Sequence, residues 1–300
     1  MKYEIKLTVF LLLMFVVTQF IGIYVVHSYM NEDGALPYGM TTPEIEQESD
    51  FYTSLLPLII IAFIIAIGLL FLLTRFKAEF ILKLWFFIVI IIALGITLSA
   101  ILGDAVPSLK NASLWVLIFT IPLAFIKIYK RNFLVHNITE LFIYPGIAAV
   151  FVPILNLWTM IILLIIISLY DLWAVWHSGI MQKMAKYQIN QLKIFGGFLV
   201  PYVSKKVRAK IKSMSKAQLK KKKIKVNLAL LGGGDIIFPI ITAGVVLKTW
   251  GLGPALLVTA GATLGLTYLF FNAKKKKFYP AMPFITSGMF IAMLISYLLF

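Results

Sequence analysis

Two aspartates within long apolar stretches are the side chains of this sequence best suited to chemistry. Asp171 stands in the run LIIISLYDLWAVWHS, and Asp235 stands in the apolar run 226–248. A carboxylate inside a bilayer costs about 2.5–3.5 kcal/mol by insertion scales, so one that is kept there indicates a function. Two carboxyl groups that meet at low dielectric share one proton, so one can act as a base and the other as an acid. The pair therefore predicts general acid–base catalysis.

The two acids are expected to pair with each other rather than with a base. No Lys or Arg stands three or four residues from either aspartate, where a partner on the same helix would lie. Asp171 is about six residues, or roughly 9 Å, from the end of its stretch, and Asp235 is about nine residues, or roughly 13 Å, from the start of its own. Because the two stretches run in opposite directions, both carboxyl groups are predicted in the same half of the bilayer. Such a pair can activate water and polarise a peptide carbonyl.

Two short motifs are predicted to lie beside these acids. Gly232, Gly233 and Gly234 directly precede Asp235 and leave the backbone open to close approach. The last apolar stretch opens with residues 279–283, which read YPAMP. Prolines suit the first turn of a helix, but the carbonyl groups that they leave unpaired are tolerated at membrane depth only where they face protein or water. Both motifs are therefore expected at the site of the acids.

The composition places the chain in a membrane. The 300 residues are 61% hydrophobic, and the mean hydropathy is +0.96, which excludes an ordinary soluble domain. The sequence has no cysteine for disulfides or thiolate chemistry, and its three scattered histidines offer little material for a metal site. The net charge of +16 is attributed to lysine-rich loops that face the cytoplasm and anionic lipid, not to a nucleic-acid partner.

Nine apolar stretches have close to the ~20 residues that a helix needs to cross ~30 Å of hydrocarbon. They are residues 6–28, 54–74, 79–102, 113–130, 133–153, 156–177, 226–248, 252–272 and 279–299. The predicted fold is an all-α polytopic membrane protein with nine transmembrane helices. Residues 1–182 hold helices one to six, 183–225 form a basic cytoplasmic loop, and 226–300 hold helices seven to nine. Within the loop, Ser204 to Lys223 is either a helix on the lipid surface or a solvated charged segment.

Lysine and arginine set the predicted orientation, because they concentrate on the cytoplasmic side. The connection after the first stretch carries six acidic residues and no base, which places it outside. If nine helices are counted, three basic clusters fall on the opposite, cytoplasmic side. They are Lys127 to Arg131, Lys183 to Lys225 and Lys274 to Lys277. The N-terminus is therefore predicted to be cytoplasmic and the C-terminus external.

Glu140 is a third acid inside an apolar stretch, about two turns from its cytoplasmic end. A basic loop residue that snorkels to it would neutralise its charge, and a water-filled cavity would solvate it. We favour the structural role, in which a basic residue pairs with Glu140, over the water-filled cavity.

Together these motifs resemble the GxGD intramembrane aspartyl proteases, which include the presenilins, the signal peptide peptidases and their archaeal homologues. The matching residues are Tyr170-Asp171 in the sixth stretch, Gly232-Gly233-Gly234-Asp235 in the seventh, and Pro280-Ala281-Met282 at the start of the ninth, where the family has Pro-Ala-Leu. The resemblance implies that Asp171 and Asp235 are catalytic. The substrate-binding residues that it implies are Tyr170, Gly232, Gly233, Gly234, Pro280, Ala281, Met282 and Pro283.

The same resemblance implies a protease that uses no cofactor and cleaves transmembrane helices of other proteins within the lipid bilayer. The predicted cytoplasmic N-terminus is similar to that of presenilins and opposite to that of signal peptide peptidases. The compact length, without a large acidic hydrophilic loop, points to a prokaryotic, archaeal-type membrane protein. Natural substrates, cleavage site and oligomeric state stay open.

Two other functions fit part of the pattern. Prepilin and preflagellin peptidases share the GxGD motif and two aspartates near the cytoplasmic face, but they lack the late proline motif and have fewer spans. A proton-coupled transporter or channel would use the acids as a relay. That function predicts inverted repeats, and the division into six and three spans argues against them.

Overall fold

The computed structural model describes residues 5–31, 36–40, seven residues between 57 and 72, 79–105, 112–130, 132–178, 194–202, 227–273 and 279–299. The helices whose bounds are described are α1 (Ile5–Asn31), α2 (Glu79–Ala105), α3 (Ala112–Tyr129), α4 (Phe133–Phe151), α5 (Leu157–Trp173), α6 (Gly233–Trp250), α7 (Leu252–Asn272) and α8 (Met282–Leu299). The strands are β1 (Gly197–Tyr202) and β2 (Asn227–Gly232). The predicted span 54–74 lies mostly outside the described residues, and the segment Ser204 to Lys223 lies wholly outside them.

Seven of the described helices are long and apolar enough to cross a membrane, and α3 adds the shorter apolar segment Leu114–Tyr129. Each of these eight helices overlaps one of the predicted spans. Large apolar side chains such as Trp85, Trp158 and Leu294 are exposed on their outer faces, as expected for helices whose solvent is lipid. The predominantly helical membrane fold is thus confirmed for the described part of the chain, while the count of nine helices stays a prediction.

Asparagine side chains cap the first turns of the two helices that form the fifth and sixth predicted spans. The Asn132 side chain caps α4 by accepting a hydrogen bond of 2.9 Å from the Leu134 amide. The Asn156 side chain caps α5 by accepting one of 2.8 Å from the Thr159 amide. Each cap satisfies a donor that the first turn of a helix leaves without a partner. The chain between the two helices forms a short 3₁₀ turn, Val152–Ile154.

The structure corrects the all-α prediction at residues 227–232, because this part of the predicted seventh helix is a strand. It pairs antiparallel with β1, from Gly197 opposite Gly232 to Tyr202 opposite Asn227. Successive glycines oppose helix formation at this point. A strand in apolar surroundings must satisfy its backbone groups within the protein, and β1 supplies partners for β2. β1 comes from the 183–225 segment, where the sequence had predicted only a loop. Helix α6 therefore begins at Gly233 rather than near Val226.

α6 is the central helix of the described fold. It contacts α1, α4, α5, α7 and α8, and most of its side chains from Ile236 to Leu247 are buried. The amide of Gln19 in α1 donates a hydrogen bond of 3.1 Å to the Ile236 carbonyl, which ties the first helix to the start of α6. The residue that precedes Ile236 is Asp235, so the packing of α6 also fixes the backbone that carries this acid.

α7 and α8 pack closely because glycines lie at their interface. A Cβ atom on Gly261 would collide with the Gly288 carbonyl oxygen, and a Cβ atom on Gly288 would collide with the Gly261 carbonyl oxygen. A Cβ atom on Gly265 would likewise collide with the Phe284 carbonyl. Small residues let membrane helices approach to backbone contact, where van der Waals packing is strongest. This interface fixes α8, and with it the proline turn at the start of that helix.

Candidate active site

Asp171 lies at the C-terminal end of α5 and is only 5% exposed. Its carboxylate accepts a hydrogen bond of 3.0 Å from the backbone amide of Met282. Met282 is the first residue of α8, and the amide groups of the first helical turn have no partner within their own helix. The contact therefore satisfies a donor of α8 and an acceptor on α5. It joins two predicted motifs that are 111 residues apart.

A second hydrogen bond holds α5 and α8 together one turn from the first. The hydroxyl of Ser168 donates to the hydroxyl of Thr286 over 2.9 Å, and both side chains are buried. Pro280 and Ala281, which form the turn before α8, are buried as well. The turn and the acid are thus fixed against each other by two hydrogen bonds between α5 and α8.

Asp235 lies in the first turn of α6, directly after the end of β2. Its side chain turns back over Gly232, because a Cβ atom placed there would lie 3.3 Å from the carboxylate oxygen. A Cβ atom on Gly233 would lie 2.6 Å from the hydroxyl of Tyr144. Glycine at these two positions leaves room for the Asp235 carboxylate on one side and for Tyr144 on the other. The acid is nearer the start of its helix than the sequence predicted.

The helices that carry the acids and the proline turn are in mutual contact, since α5 packs against α6 and α8, and α6 also packs against α8. Asp171 stands at the C-terminal end of α5, whereas Asp235 and Met282 stand at the N-terminal ends of α6 and α8. The predicted direct partnership of the two carboxyl groups stays a prediction.

Two of the predicted substrate-binding residues are exposed on the surface of the protein. Tyr170 is 58% exposed, and its ring lies 6.3 Å from that of Trp173 on the same helix. It therefore points away from the buried face of α5 that carries Asp171. Gly234 is also exposed, in the first turn of α6. Pro283 is half-buried beside Met282.

A buried ionic cluster next to the site was only partly foreseen. Glu140 of α4 forms a salt bridge with Lys127 of α3, and the two side chains belong to residues that are 2% and 7% exposed. The Lys127 ammonium also lies 3.3 Å from Nδ1 of His136. The structural role favoured for Glu140 agrees with this pairing, but its partner lies in a helix, not in a loop as the sequence suggested. Tyr144, one turn further along α4, stands near both Glu140 and Asp235.

The sequence reasoning missed Asn137, which contacts the backbone of β1. Its amide donates to the Leu199 carbonyl over 2.7 Å, and its carbonyl oxygen accepts from the Leu199 amide over 2.9 Å. The available signal was the polar group His136, Asn137 and Glu140 within one turn of an apolar stretch. As for metals, no group of three or more His, Asp or Glu residues is placed to hold an ion within the described ranges.

Comparison with known proteins finds similarity over nearly the whole chain. Residues 12–300 match the family model described as "Signal-peptide peptidase, presenilin aspartyl protease". Two solved structures of a presenilin family intramembrane aspartate protease, in C222 and P2 space groups, are similar with TM-scores of 0.60. They share 19% and 20% of residues, and the alignments cover 98% and 97% of this chain and 99% and 97% of theirs. No curated protein sequence matches the chain.

Proposed function

Since the chain belongs to the signal peptide peptidase and presenilin family of intramembrane aspartyl proteases, we propose that Asp171 and Asp235 are its catalytic pair, of the GxGD type. The observation that carries this proposal is the hydrogen bond from the Met282 amide to the Asp171 carboxylate. It joins the proline turn to one acid on a helix that packs against the helix of the other acid. The family match gives no support to a prepilin-type peptidase or a transporter.

The proposed reaction is hydrolysis of a peptide bond by water. The ionised carboxyl group takes a proton from water, whose oxygen attacks the scissile carbonyl carbon. The protonated carboxyl group donates a hydrogen bond to the carbonyl oxygen and stabilises the tetrahedral intermediate. The C–N bond then breaks, and the departing nitrogen takes up the proton that the first carboxyl group took from water. The two acids start and end the cycle with one proton between them.

The substrate is proposed to be a transmembrane helix that unwinds near the cytoplasmic side. A peptide bond inside a helix is shielded by its own hydrogen bonds, so the substrate must be extended before water can attack it. The extended segment then adds to the protein backbone, along the chain before α6 and along Pro280 to Pro283. The position of β2 supports this, because the strand ends at Gly232, three residues before Asp235. The glycines leave room for that close approach.

The protein is a multi-pass membrane protein by its family and its apolar helices. We further infer nine transmembrane helices, a cytoplasmic N-terminus, an external C-terminus and an archaeal-type host membrane. The basic segment 183–225 then faces the cytoplasmic leaflet, where its lysines contact anionic lipid. The distribution of lysine and arginine supports this orientation.

Single replacement of either acid is expected to abolish cleavage. Purified protein would be incubated with a transmembrane peptide, with and without a transition-state isostere, and the products identified by mass spectrometry. Because general acid–base groups contribute about 10²–10⁴-fold each, Asp171→Ala and Asp235→Ala should each lose at least that much turnover. The partly exposed acid Glu79, which pairs with Lys83 over 3.9 Å, provides the control Glu79→Gln, which should keep full activity. Normal turnover by either aspartate variant would contradict the proposal.

A further inference from the structure

The outer edge of β1 is closed by side chains of α4. The carboxamide of Asn137 makes two hydrogen bonds with the backbone of Leu199, of 2.7 and 2.9 Å. Both backbone groups of Leu199 therefore point away from β2, at the edge where a third strand would pair. One turn of α4 also brings Nε2 of His136 within 2.8 Å of the Gly197 carbonyl oxygen. The asparagine thus takes the place of a neighbouring strand.

The ionic cluster orients this histidine. A carbonyl oxygen can only accept, so the hydrogen of the imidazole stands on Nε2 and points at Gly197. Nδ1 then carries the lone pair, and it accepts from the Lys127 ammonium at 3.3 Å. Lys127 is in turn held by the Glu140 carboxylate. The cluster therefore leaves one tautomer of a neutral His136 with both ring nitrogens satisfied.

Apolar packing reinforces the same edge. The rings of Tyr144 in α4 and Phe198 in β1 meet edge to face, with centroids 6.4 Å apart, and Phe198 is fully buried. Pro201 lacks an amide hydrogen, and it is two residues from Leu199, so the missing donor falls on the edge that faces away from β2. A two-stranded sheet is marginally stable by itself. These contacts with α4 therefore contribute to holding β1 as a strand, beside its contacts with α1 and α6.

We propose that Asn137 and His136, supported by Lys127 and Glu140, form a clamp that keeps the β1–β2 sheet assembled before substrate binds. The inference rests on the proposed function, because β2 leads directly to Asp235. Without the clamp, the order of both strands would have to be created at the moment of binding, and that cost would be taken from substrate affinity. Asn137 is thus a positioning residue, whose effect falls on KM and not on the chemical step.

The test is the variant Asn137→Ala in the full-length protein, assayed with the same transmembrane peptide as the wild type. Loss of two hydrogen bonds should raise KM about tenfold, while kcat stays within about twofold. Amide hydrogen exchange of residues 194–202, measured without substrate, should be faster than in the wild type. Asn137→Gln keeps the carboxamide and should give an intermediate KM, which provides a second variant if Asn137→Ala is poorly folded.

The control is Asn132→Ala, which removes the exposed cap of the same helix α4. It destabilises α4 without touching β1, so it should leave KM and the exchange of residues 194–202 unchanged. Equal effects of the two variants, or an unchanged KM or exchange rate in Asn137→Ala, would overturn the clamp. If the wild type cleaves no transmembrane peptide, the proposed function fails, while the exchange measurement still decides whether Asn137 holds the strand.

Discussion

At the scale of single residues, the Lys127–Glu140 pair shows how an apolar helix bundle retains charge. Neither side chain reaches water, so each depends on the other and on His136. A pair of this kind offers little net stabilisation relative to apolar side chains, since both charges lose their hydration. Its value lies in geometry, because it sets the orientation of the histidine that faces β1.

The pair predicts a non-additive effect on stability. Lys127→Met leaves the Glu140 carboxylate buried without a counter-charge, which should lower the free energy of unfolding by about 3–5 kcal/mol. The double variant Lys127→Met/Glu140→Leu removes both charges and should recover most of that loss. Thermal unfolding in detergent micelles measures these two variants and the single variant Glu140→Leu. If the double variant were as unstable as the sum of the two single variants, the pairing would not be the source of the loss.

At the scale of elements, the α7–α8 interface determines where the proline turn lies. α8 makes its closest contacts with α7 through glycines and carries the Met282 amide that bonds to Asp171. A displacement of α8 would therefore lower the free energy of unfolding and disturb the hydrogen bond between Met282 and Asp171.

Gly261→Ala is expected to be destabilising despite the better helix propensity of alanine. Its Cβ atom would enter the space of the Gly288 carbonyl, and overpacking of this kind costs about 1–3 kcal/mol. Gly103→Ala in α2 is the matched control, because a Cβ atom there meets nothing within 4 Å. Thermal unfolding should show a lower midpoint for Gly261→Ala and an equal or higher one for Gly103→Ala. Equal midpoints would mean that α7 and α8 can move apart without loss of stability.

At the scale of the whole molecule, three sequence motifs become one site because three helices meet. α5, α6 and α8 are widely separated along the chain, and their contacts bring one C-terminal end to two N-terminal ends. α1 and α4 pack against α6, α7 packs against α6 and α8, and α2 and α3 pack against α4. The orientation of this bundle in the membrane decides from which side a substrate is cut.

The orientation can be mapped directly, because the natural chain has no cysteine. Single-cysteine variants at Gly34, in the acidic connection, and at Ser213, in the basic segment, would be treated with a membrane-impermeant maleimide on intact cells. The charge distribution predicts labelling of Gly34→Cys from outside and of Ser213→Cys only after permeabilisation. The reverse pattern would show that the N-terminus is external.

The boundaries of most spans were predictable because hydropathy is a local property. The predicted span 252–272 coincides with α7, and 133–153 and 156–177 differ from α4 and α5 mainly by their terminal turns. The start of α6 was wrong because an apolar run looks the same as a helix or as a paired strand. Its correct prediction needed β1, whose residues lie 25 to 35 positions before their partners in β2, and no local pattern reveals that pairing.

By itself, the sequence determined that this chain is a membrane protein and that two acids lie in apolar segments. The reason is that each residue contributes its own free energy of transfer into lipid, which is unfavourable for a carboxylate. It also placed the glycines next to Asp235 and the prolines at the start of α8. Only the tertiary structure decided that Met282 donates to Asp171, that Glu140 faces Lys127 and that Asn137 holds β1. These are contacts between distant segments, and they follow from how helices pack rather than from the order of residues in any one of them.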